Sequence, residues 1–383
     1  MTANARLSII INNFNYERFL PAAIQSALDQ TWAETEVIVV DDGSSDGSAS
    51  VIQWFGDAVI PVFKENGGQA SAINAGFRAS SGDAVIFLDA DDVLESHIGE
   101  RVMAIVNHEP DVAKIQFRLR MIDGDGEDLG AVVPPSWQLL PNGDLRSWIV
   151  RHRSYVYPPT SGNAFTRAAL KEIWPIPETT FRISADQYLH HATPLVGTVR
   201  AIDTVGGRYR LHQSNHYVTR EIDLNRVRTE IVISRDGHPF YREIAERTGL
   251  YAYPRTYLDV SDRILFGLRL TSLKLDPGRH PVPGDSVFRL GIRGILATVR
   301  APDSSLARKL FQSIWFAGVA LLPRRQAAWI VLQRMQVNTP AQRSDSKESG
   351  RVRSLFVRLI SRKSGNDIEM NPENAPKRGV GNG

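Results

Sequence analysis

The chain has 383 residues and no cysteine, with 42% hydrophobic and 23% charged positions. That excludes disulfides, thiolate metal sites and cysteine nucleophiles, and it supplies core material for two domains or one large domain with an appendage. The net charge of +3 conceals an asymmetry: residues 1–140 carry 8 Lys/Arg against 21 Asp/Glu, residues 141–288 carry 20 against 15, and residues 289–383 carry 17 against 6. An acidic front and a basic end suggest a cation site in the first part and an anionic partner for the last. No run approaches the ~20 consecutive apolar residues of a membrane span. The N-terminal MTANARLSIII lacks the basic, apolar and cleavage regions of a secretory signal, so the cytoplasm is the expected compartment.

In chain order, Leu7–Ile11 is a short isoleucine-rich run that reads as a buried strand. Phe19, Ala23, Ile24, Ala27 and Leu28 recur at helical spacing, with Pro21 in the first turn. Glu36–Val40 and Val59–Phe63 read as the next strands, Ala70–Ala79 as a helix, and Ala84–Leu88 as a fourth strand. Alternation of this kind predicts a parallel sheet covered by helices on both faces, with ligands beyond the carboxyl ends of the strands. Asn12–Asn15, Asp41–Asp46 and Asp89–Asp92 all fall at such ends. Further on, strands are expected at Lys114–Ile122, Leu129–Val133 and about Val205–Leu211, helices at Arg167–Ile173 and from Ala185, and a covering loop over 134–160. Residues 221–335 read as mostly helical, and the polar, Gly/Pro/Ser/Asn-rich segment after Val337 as largely disordered, apart from a short basic amphipathic helix expected at 351–362.

The chemistry gathers at the three strand ends. Asp89 and Asp91 stand two apart, so an extended backbone would aim both at one cation, and carboxylates suit Mg²⁺ or Mn²⁺. An acidic turn capping a helix is the plainer reading of Asp89-Ala90-Asp91-Asp92 in isolation. Asp41 and Asp42 carry carboxylates suited to a base N–H or a ribose hydroxyl, and Ser44-Ser45-Asp46 also suits helix capping. Asn66-Gly67-Gly68 permits close backbone approach to a ligand, though a plain turn would use the same residues. Asn74, on the helix that follows, joins this set of ligand-binding candidates.

The string SIIINNFNYERFLPAAIQSALDQTW…EVIVVDDGSSDGS…NGGQASAINAGFRASSGDAVIFLDADD resembles the N-terminal half of family-2 glycosyltransferases, over about residues 7–95. The resemblance continues more weakly through SGNAFTRAAL, PIPE, ISADQYL and YRLHQSN to about residue 216. It implies an α/β fold, a GT-A (Rossmann-like) nucleotide-diphospho-sugar transferase domain over 1–218; beyond the resemblance, pattern and composition predict a mainly helical appendage over 219–337 and a largely disordered basic tail over 338–383. It implies an inverting enzyme that uses a nucleotide-diphospho-sugar, with UDP as the default nucleotide, and a divalent metal, Mn²⁺ or Mg²⁺. Asn12, Phe14 and Asp42 match positions that hold nucleobase and ribose. Asp89 and Asp91 match the metal and diphosphate motif, with Asp91 or Asp92 as the direct ligand, His212 a position that reaches the metal or the diphosphate, and Asp186 the catalytic base.

Inversion needs one base to take the acceptor hydroxyl's proton opposite the leaving diphosphate. Asp186, at the start of a predicted helix, is expected to stay ionised with a low pKa. The resemblance departs at Asn12-Asn13-Phe14-Asn15, where Pro-Thr-Tyr-Asn is commoner, and at Ala185, where the family often has Glu. No Gln-x-x-Arg-Trp motif of processive synthases is evident, so a single addition to a glycan or lipid-linked saccharide is expected, in cell-surface polysaccharide synthesis. A degenerate sugar-nucleotide or glycan-binding protein is the alternative.

Two apolar stretches, Ile314–Leu322 and Ala327–Leu332, flank Pro323-Arg324-Arg325. With Trp315, Phe316 and Trp329 on an apolar surface, 304–335 and the basic tail suggest peripheral contact with the inner face of a membrane, against the plainer reading of packing on the rest of the protein. Aromatic residues do not interleave with the basic ones, so nucleic acid is not expected as a partner.

Overall fold

The computed structural model describes residues 5–153, 155–212, 222–301 and 305–337. The chain begins β1 (Leu7–Asn13), α1 (Leu20–Leu28), β2 (Thr35–Asp41), α2 (Ser48–Trp54), β3 (Ile60–Phe63), α3 (Gln69–Ala79), β4 (Ala84–Asp89). It continues β5 (Val93–Leu94), α4 (Ile98–His108), β6 (Val112–Ile122), β7 (Asp128–Val133), α5 (Arg146–His152), β8 (Asn163–Thr166), α6 (Arg167–Ile173), α7 (Ala185–Val196), β9 (Thr198–Arg210). Five helices follow: α8 (Leu224–Arg247), α9 (Arg263–Leu275), α10 (Val287–Arg300), α11 (Leu306–Leu321) and α12 (Arg324–Val337).

Among the described residues the strands form one sheet in the order β3-β2-β1-β4-β8-β6-β9-β5, with β7 beside β6. The first four spatial neighbours are parallel, as the alternating pattern predicts. β8 then enters antiparallel between β4 and β6, so the whole sheet is mixed. Register places Asn13 opposite Asp41 and Asn12 opposite Asp89, which brings the polar ends of β1, β2 and β4 to one edge.

The alternation of side chains along a strand feeds two cores. Ile10, Ile38, Val40 and Phe87 face a core shared with α3, α6 and α7, which Ile233, Tyr241 and Ile244 of α8 also enter. Ile9, Ile11, Val37, Val39 and Leu88 face the other, under α1 and α4. The first helix after residue 221 therefore closes one face of the sheet, while α9 to α12 pack around their own core of Phe266, Leu270, Trp315, Phe316 and Val319. Met1–Gln336 make one compact unit.

Three expectations change. The 134–160 segment contains α5, a seven-residue helix with no side-chain cap, too short to show a period in sequence. β9 starts at Thr198 rather than near Val205, because Arg200, Asp203 and Thr204 interrupt its apolar pattern and its register against β6 shifts. Trp315 and Phe316 do not lie on an exposed surface: they are 5% and 1% exposed, and Trp329 is the one of the three that faces out. The expected disordered tail and short basic helix at 351–362 lie outside the described residues.

Gly294 sets the closeness of α10 to α11. A Cβ there would lie 2.2 Å from the buried Phe316 ring. Gly294→Ala gains about 1 kcal/mol of helix propensity but forces overpacking that costs about 1–3 kcal/mol. The expected outcome is a lower melting temperature by calorimetry.

Candidate active site

The site is assembled from loops at the β1, β2 and β4 ends and from the N-terminus of α7. Asp41 closes the first two loops on each other: its Oδ1 accepts from Asn13 Nδ2 at 2.8 Å and from Ser44 Oγ at 2.5 Å. Asn15, in the left-handed region at φ 59°, accepts from the Ser45 N–H at 2.7 Å. Asp41 is thus a buried brace. Asp42 is also buried, and its carboxylate takes Lys64 Nζ at 2.6 Å and the amides of Gly67 and Gly68 at 3.0 and 2.7 Å. Asn66 Nδ2 donates to the Asp42 carbonyl at 3.0 Å. Gly68 has φ 88°, and a Cβ there would sit 2.5 Å from the Arg182 carbonyl oxygen, so the loop needs glycine. Arg182 crosses this loop, donating to the Gly67 carbonyl at 2.9 Å and to Asn66 Oδ1 at 2.6 Å.

Asn12 and Asp89 meet across β1 and β4, with Asn12 Nδ2 donating to Asp89 Oδ1 at 2.9 Å. The other amide atom, Asn12 Oδ1, is buried with no hydrogen-bond partner among the described residues. Phe14 stands 44% exposed on the adjoining loop, open to stacking. Asn74 lies elsewhere: its amide donates to the Ile176 carbonyl and Glu178 Oε1, both at 2.9 Å, and accepts from the Ile176 N–H at 3.1 Å. It holds the 176–178 loop, and that use of the whole amide corrects the expectation of a ligand contact.

Asp89-Ala90-Asp91-Asp92 is a turn, closed by the Asp92 N–H on the Asp89 carbonyl at 3.0 Å, and not the extended segment expected from spacing. Asp92 is spent on protein partners: Ser161 Oγ donates to it at 2.6 Å and the Arg210 N–H at 2.9 Å. Asp92 therefore pins the end of β9 to this turn and is not placed as a free ligand. Arg210 Nε in turn donates to the Asp91 carbonyl at 2.9 Å. That pinning delivers His212, whose Nε2 lies 3.0 Å from Asp91 Oδ2, with Phe19 and Tyr16 packed on its ring.

Asp186 is half-buried in the first turn of α7 and accepts from the Gln187 N–H at 2.8 Å. Burial pushes its carboxyl above the ordinary range, against backbone hydrogen bonds and Lys114, which lower it. The low pKa expected from the helix terminus is thus reversed by desolvation. Asp89 is raised to about 7 by burial first and by the charge of Asp91 next, with Asp186 contributing further.

Four residues escaped the sequence reading. Gln69 joins the two halves of the site, its Nε2 donating to Asp89 Oδ1 at 3.4 Å and its Oε1 accepting from the Ala185 N–H at 3.0 Å. Glu230 of α8 meets Gln187 Nε2 at 3.3 Å, and burial, then Asp186, raises its carboxyl. Lys114 is buried behind Asp186 between Tyr155 OH at 2.9 Å and His190 Nδ1 at 3.0 Å, and desolvation pushes its ammonium well down. Arg182 is the fourth. None of these forms a local motif; only Arg182, four positions before Asp186, carried a sequence signal, as a cation within the loop leading to α7.

An acid whose folded pKa exceeds its unfolded value holds more protons when folded. Its stabilising contribution is complete below about pH 4 and is lost as pH rises through about 7. In chelator, the melting temperature of the wild type should therefore fall relative to that of Asp89→Asn between pH 5 and 8, as read by calorimetry at each pH.

Among the described residues no cluster of three or more His, Asp or Glu stands ready to hold a metal ion. The contacting pair of Asp91 carboxylate and His212 imidazole does offer the donor types that suit first-row divalent ions, beside a turn with surplus negative charge.

Residues 8–174 match the family model described as glycosyl transferase family 2. The chain is 36% identical over 219 residues to an uncharacterised glycosyltransferase of Nostoc, covering 56% of this chain and 67% of that one. It is 39% identical over 101 residues to one of Rickettsia prowazekii, covering 26% of this chain and 32% of that one. The chain thus spans two thirds of the first relative and a third of the second. Among solved structures, Staphylococcus aureus TarS 1-349 in complex with UDP-GlcNAc aligns over 81% of this chain and 90% of its own, at 17% identity and a TM-score of 0.47. The chain belongs to glycosyltransferase family 2. It is an enzyme of glycosyl transfer.

Proposed function

We propose that this enzyme inverts configuration as it moves a sugar from a nucleotide-diphospho-sugar, with UDP as the leading nucleotide, to a hydroxyl of a glycan or lipid-linked saccharide. Cell-surface polysaccharide synthesis on the cytoplasmic side is the setting this reading favours. The observation that carries it is the Gln69 bridge, which joins Asp89 at the donor end to the α7 N-terminus that bears Asp186.

In this reading Phe14 stacks on the base, and the unpaired Asn12 Oδ1 accepts from the nucleoside. Asp42, clamped by Lys64 and the Gly67 and Gly68 amides, shapes the floor of that pocket, while Asn66 and Arg182 line its rim. Asp89 takes a ribose hydroxyl. Asp91 and His212 would hold a divalent cation, which when bound supplies charge neutralisation for the leaving diphosphate.

Asp186 takes the proton of the acceptor hydroxyl. Its desolvation suits that task, because a base works best with a pKa close to the working pH. Lys114, whose charged form burial disfavours, is held by Tyr155 and His190, and its charge lowers the Asp186 carboxyl against the desolvation that raises it. Glu230 brings a second carboxylate to the acceptor side of the base.

The test is release of nucleoside diphosphate from a panel of UDP-, GDP-, dTDP- and CDP-sugars in Mn²⁺. Release from one nucleotide class, with inversion at the anomeric carbon of the product, is expected. Binding of a donor with no turnover by any acceptor pool would favour the degenerate binding protein instead.

A further inference from the structure

Helix α10 packs on its neighbours through Leu290, Gly291, Gly294 and Ala297 and leaves four larger apolar residues exposed. Gly291 and Gly294 face α11, where added Cβ atoms would meet Ala320 at 2.9 Å and the Phe316 ring at 2.2 Å. Phe288, Ile292, Leu296 and Val299 are all exposed, Phe288 at 65%. A helix that only covered a core would bury those four and turn smaller or polar residues outward. On α11, Leu306, Leu310, Ile314 and Leu321 form a second exposed stripe along the whole helix.

The two stripes belong to one surface. Contacts of Gly291 with Ala320 and Gly294 with Phe316 run in opposite chain directions, so the helices are antiparallel. At about 100° per residue, each stripe lies a little over a quarter-turn from the packing face of its helix, in the same rotational sense. In an antiparallel pair that geometry puts both stripes on the same side of the hairpin.

Charge selects the occupant. Arg289 and Arg300 are exposed along the edge of the α10 stripe. Residues 287–337 hold eight Lys/Arg and one Asp, and 338–383 hold nine against five. A second copy would set like charge against like, and the C-terminal segment brings no acidic complement. No helix among the described residues is long and apolar enough to cross a membrane. An apolar stripe edged by arginines instead suits a helix lying in the headgroup layer of an anionic bilayer.

We infer that this side of the α10–α11 hairpin docks on an anionic lipid surface, the apolar stripes entering the interface and Arg289 and Arg300 meeting the headgroups. The surface differs from the one expected from Trp315 and Phe316, which are core residues. It goes beyond the proposed transfer reaction and does not depend on it.

Flotation of the full chain with vesicles tests it, comparing pure phosphatidylcholine with vesicles containing about 30% phosphatidylglycerol. The wild type should float with the anionic vesicles and release at high salt. The double variant Ile292→Glu/Leu296→Glu should weaken binding at least tenfold, and Arg289→Glu/Arg300→Glu should remove the preference for anionic lipid. Both should keep the wild-type melting temperature and nucleotide response, since these side chains lie outside the core and the candidate active site. Unchanged flotation of the apolar variant would overturn the inference and assign any binding to another segment. So would absence of flotation, or a dimer in sedimentation velocity that the apolar variant dissociates, which would make the face a contact between copies.

Discussion

Asp186→Asn is expected to lower the transfer rate by about 10²–10⁴-fold and to leave nucleotide affinity unchanged. The carboxylate is replaced by an amide of the same shape that can still accept from the Gln187 N–H, so α7 and the Gln69 link should persist. What disappears is the carboxylate proposed to take the acceptor's proton. A pH profile sharpens the prediction. Because burial raises the Asp186 carboxyl, the acid limb of kcat/KM should fall above the ordinary carboxylate range, and its loss with decreasing pH reports protonation of the base. A variant that retained wild-type turnover, or lost donor binding as much as turnover, would remove Asp186 from this role.

Asp91→Ala should have the second large effect. It removes the carboxylate beside His212 and leaves Asp92 on Ser161 and Arg210, so the turn and the end of β9 stay anchored. If the pair holds a cation worth several kcal/mol of charge stabilisation, the loss in kcat/KM is about 10³-fold at 1.36 kcal/mol per decade. Titrating Mn²⁺ against turnover checks it: the wild type should saturate and the variant should not respond. His212→Ala, which leaves the charged ligand in place, should lose less. Equal metal response in wild type and Asp91→Ala would contradict the assignment.

The sequence is legible where local pattern and topology agree. Isoleucine- and valine-rich runs that end abruptly in Asn or Asp announce β1, β2 and β4, and parallel register then forces their ends together. What escapes is set by distant partners. Asp91 and Asp92 look alike in the chain, and only Ser161 and Arg210 decide that Asp92 is an anchor. Asn74 looks like a ligand residue until the 176–178 loop arrives to use its amide. Gln69 and Glu230 carry no motif, since the first acts by bridging two loops and the second comes from a helix beyond the matched segment.

The C-terminal helices show the same limit in another form. Both sides of α11 are apolar, so its periodicity could not say whether Trp315 and Phe316 or Leu310 and Ile314 face the core. The glycines of α10 decide it, because only there can the Phe316 ring be received.

The most direct test of the whole account is a thermal-shift titration with UDP, GDP, dTDP and CDP, each with and without Mn²⁺, on the wild type and Asp91→Ala. Ligand at a hundredfold excess over its Kd stabilises by about 2.7 kcal/mol, well within reach of the method. A shift for one nucleotide that needs both Mn²⁺ and Asp91 is the predicted result. No shift for any nucleotide, or a shift indifferent to Mn²⁺ and to Asp91, would contradict the donor site described here.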